Sequence, residues 1–345
     1  MPDYYDPKYL RGVIKLIHPV KSFFKDRFFP EAVKFPTESV EFEFYDSGMK
    51  IAPYANGRSG PVAIEHEGYR VERYTPALLS MKRAITNDLI AQKLLSESPY
   101  NSGMTPEERA QEIAANDLEE LTAMIYRKQE FMCARVLQDG QLAITGRGFN
   151  ELADFGFTNI ENTDSGDQWS SSYDIVGKLK TKAQLIRSQG FNPDTLILGV
   201  DAANALLDNT KIQKLLDNRR IISGQIDPKE LESGCEYLGG LILPGLFCDI
   251  YCDNEYYYDD DTKTSKPYLD ADTAILIDSK VRNNMLYGAI TYIDQKSSQH
   301  VTEMNEYVPR TWVDVESSIQ YISVSSRCLP CPVDIRSWAV MKDVI

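Results

Sequence analysis

The chain has 345 residues, 43% of them hydrophobic and 26% charged, which excludes a disordered or collagen-like polymer and allows one or two folded cores. Its 37 basic and 51 acidic residues give a net charge of −14, which disfavours nonspecific binding to phosphate backbones. The longest apolar stretch, 239–247, is too short to span a bilayer, and the acidic N-terminus is unlike a signal peptide. We therefore predict a cytosolic protein that has no membrane partner.

Residues 1–36 form an apolar segment with no core of its own. Leu10, Val13, Ile14 and Ile17 have helical spacing, and two phenylalanine pairs follow, Phe23 with Phe24 and Phe28 with Phe29. A segment this short cannot bury these side chains internally, so they must pack on another surface. The sequence leaves open whether that surface is a neighbouring subunit or the rest of the same chain.

A two-residue period begins at Thr37 and predicts a β-ribbon. Val40, Phe42 and Phe44 alternate with charged or polar residues, and the stretch 69–74 has the composition of a returning strand. A turn-rich tip lies around 56–60. A two-stranded ribbon is marginal in water, so we expect it to lie along its own chain or along a neighbouring copy.

The clearest local signal is a helix that begins after Thr105. Thr105 as N-cap, Pro106 at the first helical position and Glu108 two residues later form a capping box, and Gly140 marks the end. An apolar stripe of period 3.6 runs between them. The helix from Pro106 to about Asp139 would be about 50 Å long, which suits a strut between parts of a domain.

After Gly140 the pattern becomes α/β. We predict a helix over 174–189, a buried strand over 195–200 and one or two short helices over 202–220. Further strands are predicted over 240–243, 247–251, 273–277, 285–293 and 312–324, and a tyrosine-rich segment, 256–258, enters an acidic turn.

Few residues suggest chemistry. The three histidines, His18, His66 and His300, are far apart, and no phosphate-binding loop or nucleophile elbow is present. Cys328 and Cys331 have the spacing of a redox pair or half a zinc site, and Cys248 and Cys252 add a second pair. Strand geometry would separate Cys248 from Cys252 by about 13 Å, and the prolines around Cys331 prevent a helix N-terminus there. We therefore predict buried thiols without a cofactor, and a cysteine-based metal or redox protein remains an alternative.

Taken in order, several segments resemble the lambda-type major capsid proteins of tailed phages, the phage major capsid protein E family. The segments that carry the resemblance are 23–29, 37–44, 49–61, 74–86, 192–201, 238–258 and 267–273. Each is weak alone, but their order and spacing are specific, and together they cover nearly the whole chain.

The resemblance implies an α+β chain with the Hong Kong 97-type capsid fold. It assigns 1–36 to an N-terminal arm and 37–80 to an extended β-hairpin loop over an adjacent subunit. A peripheral domain would comprise 81–173 and 281–326, with a spine helix at 105–139. An axial α/β domain would comprise 174–280 and 327–345. The candidate inter-subunit contacts are Phe23, Phe24, Phe28, Phe29, Val40, Phe42, Phe44, Tyr54, Asn56 and Arg58.

The function implied is structural and not enzymatic: pentamers and hexamers would close into an icosahedral shell that encloses double-stranded DNA without binding it specifically. The protein would be assembled in the cytoplasm of a bacterial host and become part of the virion. Because only 36 residues precede the loop, the resemblance implies a separate scaffolding protein. A portal protein, a decoration protein and a head maturation protease are further candidate partners. An encapsulin-like compartment shell, which shares this fold, is the other alternative.

Overall fold

The computed structural model describes residues 22–45, 69–91, 105–146, 149–163, 166–217, 224–231, 234–259, 262–294, 298–314, 316 and 319–345. The apolar stretch from Leu10 to Ile17 and the ribbon tip at 56–60 therefore lie outside the described residues. The helices within the described part are α1 Phe24–Phe28, α2 Asn87–Ala91, α3 Pro106–Asp139, α4 Ile175–Ser188, α5 Val200–Asp208 and α6 Thr210–Asp217.

The strands of the described part fall into several small sheets and one large one. In chain order they are β1 Glu31–Lys34, β2 Val40–Tyr45, β3 Tyr69–Tyr74, β4 Leu79–Ile85, β5 Gln141–Gly146, β6 Phe149–Asp154, β7 Ile160–Asn162, β8 Thr195–Leu198, β9 Gly224–Glu230, β10 Glu236–Leu243, β11 Leu246–Cys252, β12 Tyr256–Asp259, β13 Thr264–Pro267, β14 Ala274–Ile277, β15 Asn284–Tyr287, β16 Ile290–Ile293, β17 His300–Glu303, β18 Val308–Asp314, β19 Ile319–Ser326, β20 Cys328–Cys331 and β21 Trp338–Lys342.

The long helix predicted from the capping box is confirmed. Thr105 accepts a hydrogen bond from the Glu108 N–H, and the Glu108 carboxylate accepts one from the Thr105 N–H at 2.7 Å. The helix has 34 residues and ends at Gly140, whose φ of 63° lies in the left-handed region. A Cβ at Gly140 would also lie 2.2 Å from the Cβ of Phe157, so both the backbone and the space require glycine there.

The seven-stranded sheet has the order β7-β21-β14-β8-β11-β10-β9 and divides its side chains between two cores. Its central strands β8 and β14 are buried along their whole length, as expected for strands covered on both faces. Leu196 and Leu276 face α4, α5 and α6 on one side of the sheet. Their neighbours in sequence, Ile197 and Ile275, point to the other side of the sheet, toward a core that also contains α1 and the C-terminal half of α3.

The helix α3 joins this sheet to a second, three-stranded sheet of order β18-β19-β4. Its N-terminal half packs Leu118, Leu121 and Ile125 against Ile322 and Val324 of β19 in a separate core. The C-terminal half is fixed to the large sheet, because the Trp338 indole N–H donates to the Leu137 carbonyl at 2.9 Å. The helix therefore spans two cores, as a strut would.

The ribbon is confirmed where it is described: β2 and β3 pair antiparallel, with Val40 opposite Tyr74. Two single strands predicted from the sequence are wrong. The segment 285–293 breaks into β15 and β16 at Gly288, where a Cβ would lie 2.6 Å from the Glu38 carbonyl oxygen. The segment 312–324 is an antiparallel hairpin of β18 and β19, with Trp312 opposite Tyr321.

The C-terminal segment around Cys328 is a strand, β20. Strand β20 pairs with β15, which in turn pairs with β1, so this stretch belongs to a small sheet outside the seven-stranded one. Strand β21 enters the large sheet between β14 and β7. The residues after 326 are thus shared between two sheets.

Candidate assembly interfaces

The predicted inter-subunit contacts of the N-terminal segment lie inside the subunit's own core. Phe23, Phe24, Phe28 and Phe29 expose 3%, 1%, 0% and 1% of their surface, and Val40 exposes 0%. All five pack in the core that contains the C-terminal half of α3. The prediction that these side chains contact a neighbouring subunit is therefore corrected: burial against their own chain removes them from any external surface.

A buried carboxylate holds α1 in this position. Glu130, on the C-terminal half of α3, accepts hydrogen bonds from the backbone N–H groups of Phe24 at 2.6 Å and Lys25 at 2.8 Å. These N–H groups are at the start of α1, where a helix leaves its first donors without an internal partner. Glu130 thus supplies from a distant helix the acceptor that an N-cap side chain usually supplies locally.

The side chains of α1 add further bonds to α3. The Lys25 ammonium donates to Gln129 Oε1 at 2.7 Å and lies 3.7 Å from the centre of the Tyr126 ring. The Tyr126 hydroxyl donates to Asp26 at 2.6 Å. Burial lowers the pKa of Lys25, and the amide oxygen and the aromatic ring replace part of its lost hydration.

The sequence carries no signal for this arrangement. Glu130 is separated from Phe24 by 106 positions, and no local motif links them. The periodicity of α3 predicts which apolar side chains are buried. It gives no reason to expect that a carboxylate, Glu130, is buried with them. In the folded chain Glu130 is only 2% exposed, and both of its carboxylate oxygens accept hydrogen bonds from α1.

Two more carboxyl groups lie near Glu130, where α3 approaches the end of β11. Asp253 accepts from the Leu269 N–H at 3.1 Å and from the Cys235 thiol at 3.4 Å. Burial raises the pKa of Glu130 to about 7 and that of Asp253 to about 6. Burial, followed by the charges of Glu130 and Asp253, raises the pKa of Glu255 to about 7. We call Glu130, Asp253 and Glu255 the acidic cluster.

The remaining predicted contacts are on the ribbon. The backbones of Phe42 and Phe44 lie in β2, but their side chains are outside the described residues, as are Tyr54, Asn56 and Arg58. These five stay predictions. Among the described residues, two pairs of large apolar side chains are exposed and were not predicted as contacts. Ile242 on β10 lies opposite Phe247 on β11, and Tyr256 and Tyr258 lie on the same face of β12.

The four cysteines considered for a metal or redox site lie in two different cores. Cys328 and Cys331 pack with α1 and α3, whereas Cys248 and Cys252 pack on the opposite face of the large sheet with α4 to α6. Burial raises the pKa of Cys248 and of Cys331 to about 12. A single four-thiolate site is therefore incompatible with the fold, and buried protonated thiols are poor nucleophiles and poor ligands.

We expect the double substitution of Cys328 and Cys331 by serine to leave assembly intact. Its cost is a loss of stability of about 1–3 kcal/mol per site, because each new hydroxyl loses hydration in a buried position. Chemical unfolding and electron microscopy of the variant measure the two effects. Stoichiometric zinc in the purified wild-type protein, or loss of assembly on chelation, would contradict this prediction.

The described residues contain no group of three or more His, Cys, Asp or Glu side chains arranged to hold a metal ion. His300 lies exposed on β17, while His18 and His66 are outside the described ranges. None of the helices that the structure describes is long and apolar enough to cross a membrane.

Comparison with known proteins places this fold among phage capsid proteins. The chain is 23% identical over 304 residues to the major capsid protein of Enterobacteria phage phi80, covering 85% of each protein. A putative capsid protein of a prophage from E. coli CFT073 has a similar structure, with a TM-score of 0.68 and 18% identity, over 97% of this chain and 96% of that one. A phage-related protein from Bordetella bronchiseptica RB50 has a TM-score of 0.51 and 12% identity, over 99% and 97% of the two chains.

The sequence matches the family described as phage major capsid protein E over residues 6–342. The α+β architecture, with a long helix, one large sheet and several small ones, is the Hong Kong 97-type capsid fold of its structural neighbours. The protein is thus a structural subunit that associates with copies of itself in a capsid shell and is a component of the virion. With nearly its whole length inside the match, the chain belongs to the phage major capsid protein E family.

Proposed function

We propose that the protein forms pentamers and hexamers that close into an icosahedral shell around double-stranded phage DNA and that it has no catalytic activity. The observation that carries this proposal is the family match over residues 6–342 combined with a matching fold over nearly the whole chain. The net charge of −14 supports a wall that encloses DNA without binding it, because a strongly basic surface would retain the phosphate backbone.

We assign the parts of the chain to the units of such a subunit as follows. Residues 1–36 form the arm and 37–80 the extended loop, 81–173 and 281–326 form the peripheral domain, and 174–280 and 327–345 form the axial domain. Six strands of the seven-stranded sheet, with α4 to α6, support an axial unit, whereas β7 of the same sheet falls within 81–173. The helix α3 with the β18-β19-β4 sheet supports a peripheral unit. With this division, the pairing of β20 with β15 would join the two units near residue 327.

The partners that we propose are a separate scaffolding protein and a portal protein, with a decoration protein and a head maturation protease as further candidates. Assembly would take place in the cytoplasm of the bacterial host. These partners come from the family resemblance, and the exposed apolar pairs on β10–β11 and β12 are surfaces on which protein partners or further copies can bury area.

The test of this function is direct imaging of the purified protein. Size-exclusion chromatography with light scattering, followed by negative-stain electron microscopy, is expected to show capsomers or closed shells. A protein that stays monomeric at high concentration and with co-expressed phage scaffolding protein would contradict the proposal. Shells that contain host enzymes in place of DNA would favour the encapsulin-like alternative.

We expect deletion of residues 54–61 to block shell closure while the subunit still folds. This segment contains Tyr54, Asn56 and Arg58 at the tip of the extended loop, which by this proposal braces a neighbouring subunit. Circular dichroism and thermal unfolding measure folding, and electron microscopy measures closure. Alanine at Tyr54, Asn56 and Arg58, with the loop length unchanged, separates the role of the side chains from that of loop length. Normal shells from the deletion would contradict a bracing role for the loop.

A further inference from the structure

One face of the β18-β19-β4 sheet carries positive charge and aromatic rings. The antiparallel register places Trp312 opposite Tyr321, and Arg310 opposite Ser323, which in turn is opposite Lys82. Ile322 and Val324 alternate with Tyr321 and Ser323 along β19 and pack against α3 on the other face. We call the set of Lys82, Arg310, Trp312, Tyr321 and the adjacent Tyr292 the cation–aromatic face.

The rings on this face hold the cations in place. Trp312 and Tyr321 are stacked, with their centres 5.4 Å apart. The Lys82 ammonium lies 4.6 Å from the centre of the Tyr321 ring and 5.8 Å from that of Trp312. The Arg310 guanidinium lies 5.0 Å from the centre of the Tyr292 ring. The aromatic rings orient these charges without neutralising them.

Neither cation has a carboxylate partner among the described residues, and Arg310 Nε is buried with no hydrogen-bond acceptor there. The next residue of β4 does have carboxylate partners. Arg83, which faces α3, forms ion pairs with both Asp117 and Glu120. In a chain with 51 acidic and 37 basic residues, the positive charges of Lys82 and Arg310 remain available to a partner.

We propose that the cation–aromatic face binds an acidic surface on a second copy of this chain. Because the chain carries 51 acidic and 37 basic residues, a second copy presents an excess of acidic side chains that can complement this face. The same net charge opposes the approach of a nucleic acid, whose backbone carries a high density of negative charge. Trp, Tyr and Arg are also the side chains that contribute most to protein interfaces. This inference rests on the proposed function, which brings copies together.

The test compares a charge reversal with two matched controls. Lys82→Glu reverses the charge at the face, Lys82→Arg keeps it, and Lys280→Glu makes the same change of net charge at an exposed lysine elsewhere. Self-association is measured by sedimentation velocity over a concentration series and by electron microscopy. Lys82→Glu is expected to weaken association at least about tenfold, and the two controls are expected to associate like the wild type. All melting temperatures are expected to agree within about 3 °C, because Lys82 is exposed.

Arg310→Gln tests the same face independently, and it is expected to weaken association in the same direction. Unchanged association in both Lys82→Glu and Arg310→Gln would overturn the inference while wild-type shells uphold the proposed function. Equal loss in Lys82→Glu and Lys280→Glu would also overturn it, since net charge would then be the cause. A wild-type chain that never associates would overturn both. A short labelled DNA duplex is the last probe: binding that Lys82→Glu abolishes, with association unchanged, would assign the face to nucleic acid instead.

Discussion

Replacing Glu130 with alanine is expected to destabilise the subunit by about 2–4 kcal/mol at neutral pH. The substitution removes the acceptor for the buried N–H groups of Phe24 and Lys25, and each buried donor left without a partner costs about 1–3 kcal/mol. It also leaves a cavity beside α1. Part of this cost is offset, because the variant no longer buries a carboxylate.

Chemical unfolding of the unassembled subunit, followed by circular dichroism, measures this loss. Glu119→Ala provides the control, since Glu119 is an exposed carboxylate on the same helix, and its replacement is expected to change stability by less than about 0.5 kcal/mol. Limited proteolysis is expected to cut the Glu130→Ala variant near α1, where Phe24 and Phe28 lose their anchorage. Equal stability of the two variants would show that the packing of the phenylalanines alone holds α1.

The parts of the fold that the sequence predicts well are those with local causes. The capping box of Thr105 and Glu108 and the left-handed Gly140 fix the ends of α3 within a few residues of chain. The same holds for α4, which is capped by Asp174. Strand β8 is predicted because a short apolar run, Leu196 to Leu198, favours a strand covered on both faces, and all four residues of the strand are buried.

The parts that were predicted wrongly depend on contacts between distant residues. Gly288 divides β15 from β16 because the Glu38 carbonyl passes close to its Cα, and no residue near 288 encodes that approach. The packing of α1, which buries Phe24 and Phe28, includes hydrogen bonds to Glu130, more than 100 positions away. The apolar pattern correctly predicts that these rings pack on some surface. The same pattern is expected whether that surface belongs to the same chain or to a neighbouring subunit.

The same argument applies to the interface. Lys82 and Arg310 are ordinary residues in the sequence, separated by more than 200 positions, and become notable only when β4 and β18 flank β19. Their lack of carboxylate partners among the described residues is visible only in three dimensions, because the sequence supplies many acidic residues nearby along the chain. Family resemblance predicts that such a chain associates with copies of itself, while the surfaces it uses depend on side chains that the fold brings together.

Lowering the pH from about 8 to about 5 is expected to stabilise the unassembled subunit by about 2–4 kcal/mol. Burial raises the pKa of Glu130 and of Glu255 to about 7 and that of Asp253 to about 6, all above their values in an unfolded chain. The folded state therefore binds more protons than the unfolded state between about pH 4.5 and pH 7. The resulting stability is fully present below about pH 4.5 and is lost as the pH rises through about 7. Glu255 contributes least, because it is partly exposed and solvent screening reduces the effect there.

Carboxyl groups whose pKa is lowered in the folded state do not cancel this stabilisation between pH 8 and pH 5. Hydrogen bonds and ion pairs with Lys178 and Lys182 overcome the effect of burial and lower the pKa of Glu161, and those with Arg135 lower the pKa of Asp270. The stability that such groups contribute is lost only as the pH falls through their lowered pKa values. Denaturant unfolding at a series of pH values measures the slope of the free energy of unfolding against pH. Glu255→Gln, which removes one charge from the acidic cluster, is expected to stabilise the subunit at pH 8 and to flatten the slope between pH 5 and pH 8. A steady fall of stability from pH 8 to pH 5, or an unchanged slope in the variant, would show that the three carboxyl groups are hydrated or paired in solution.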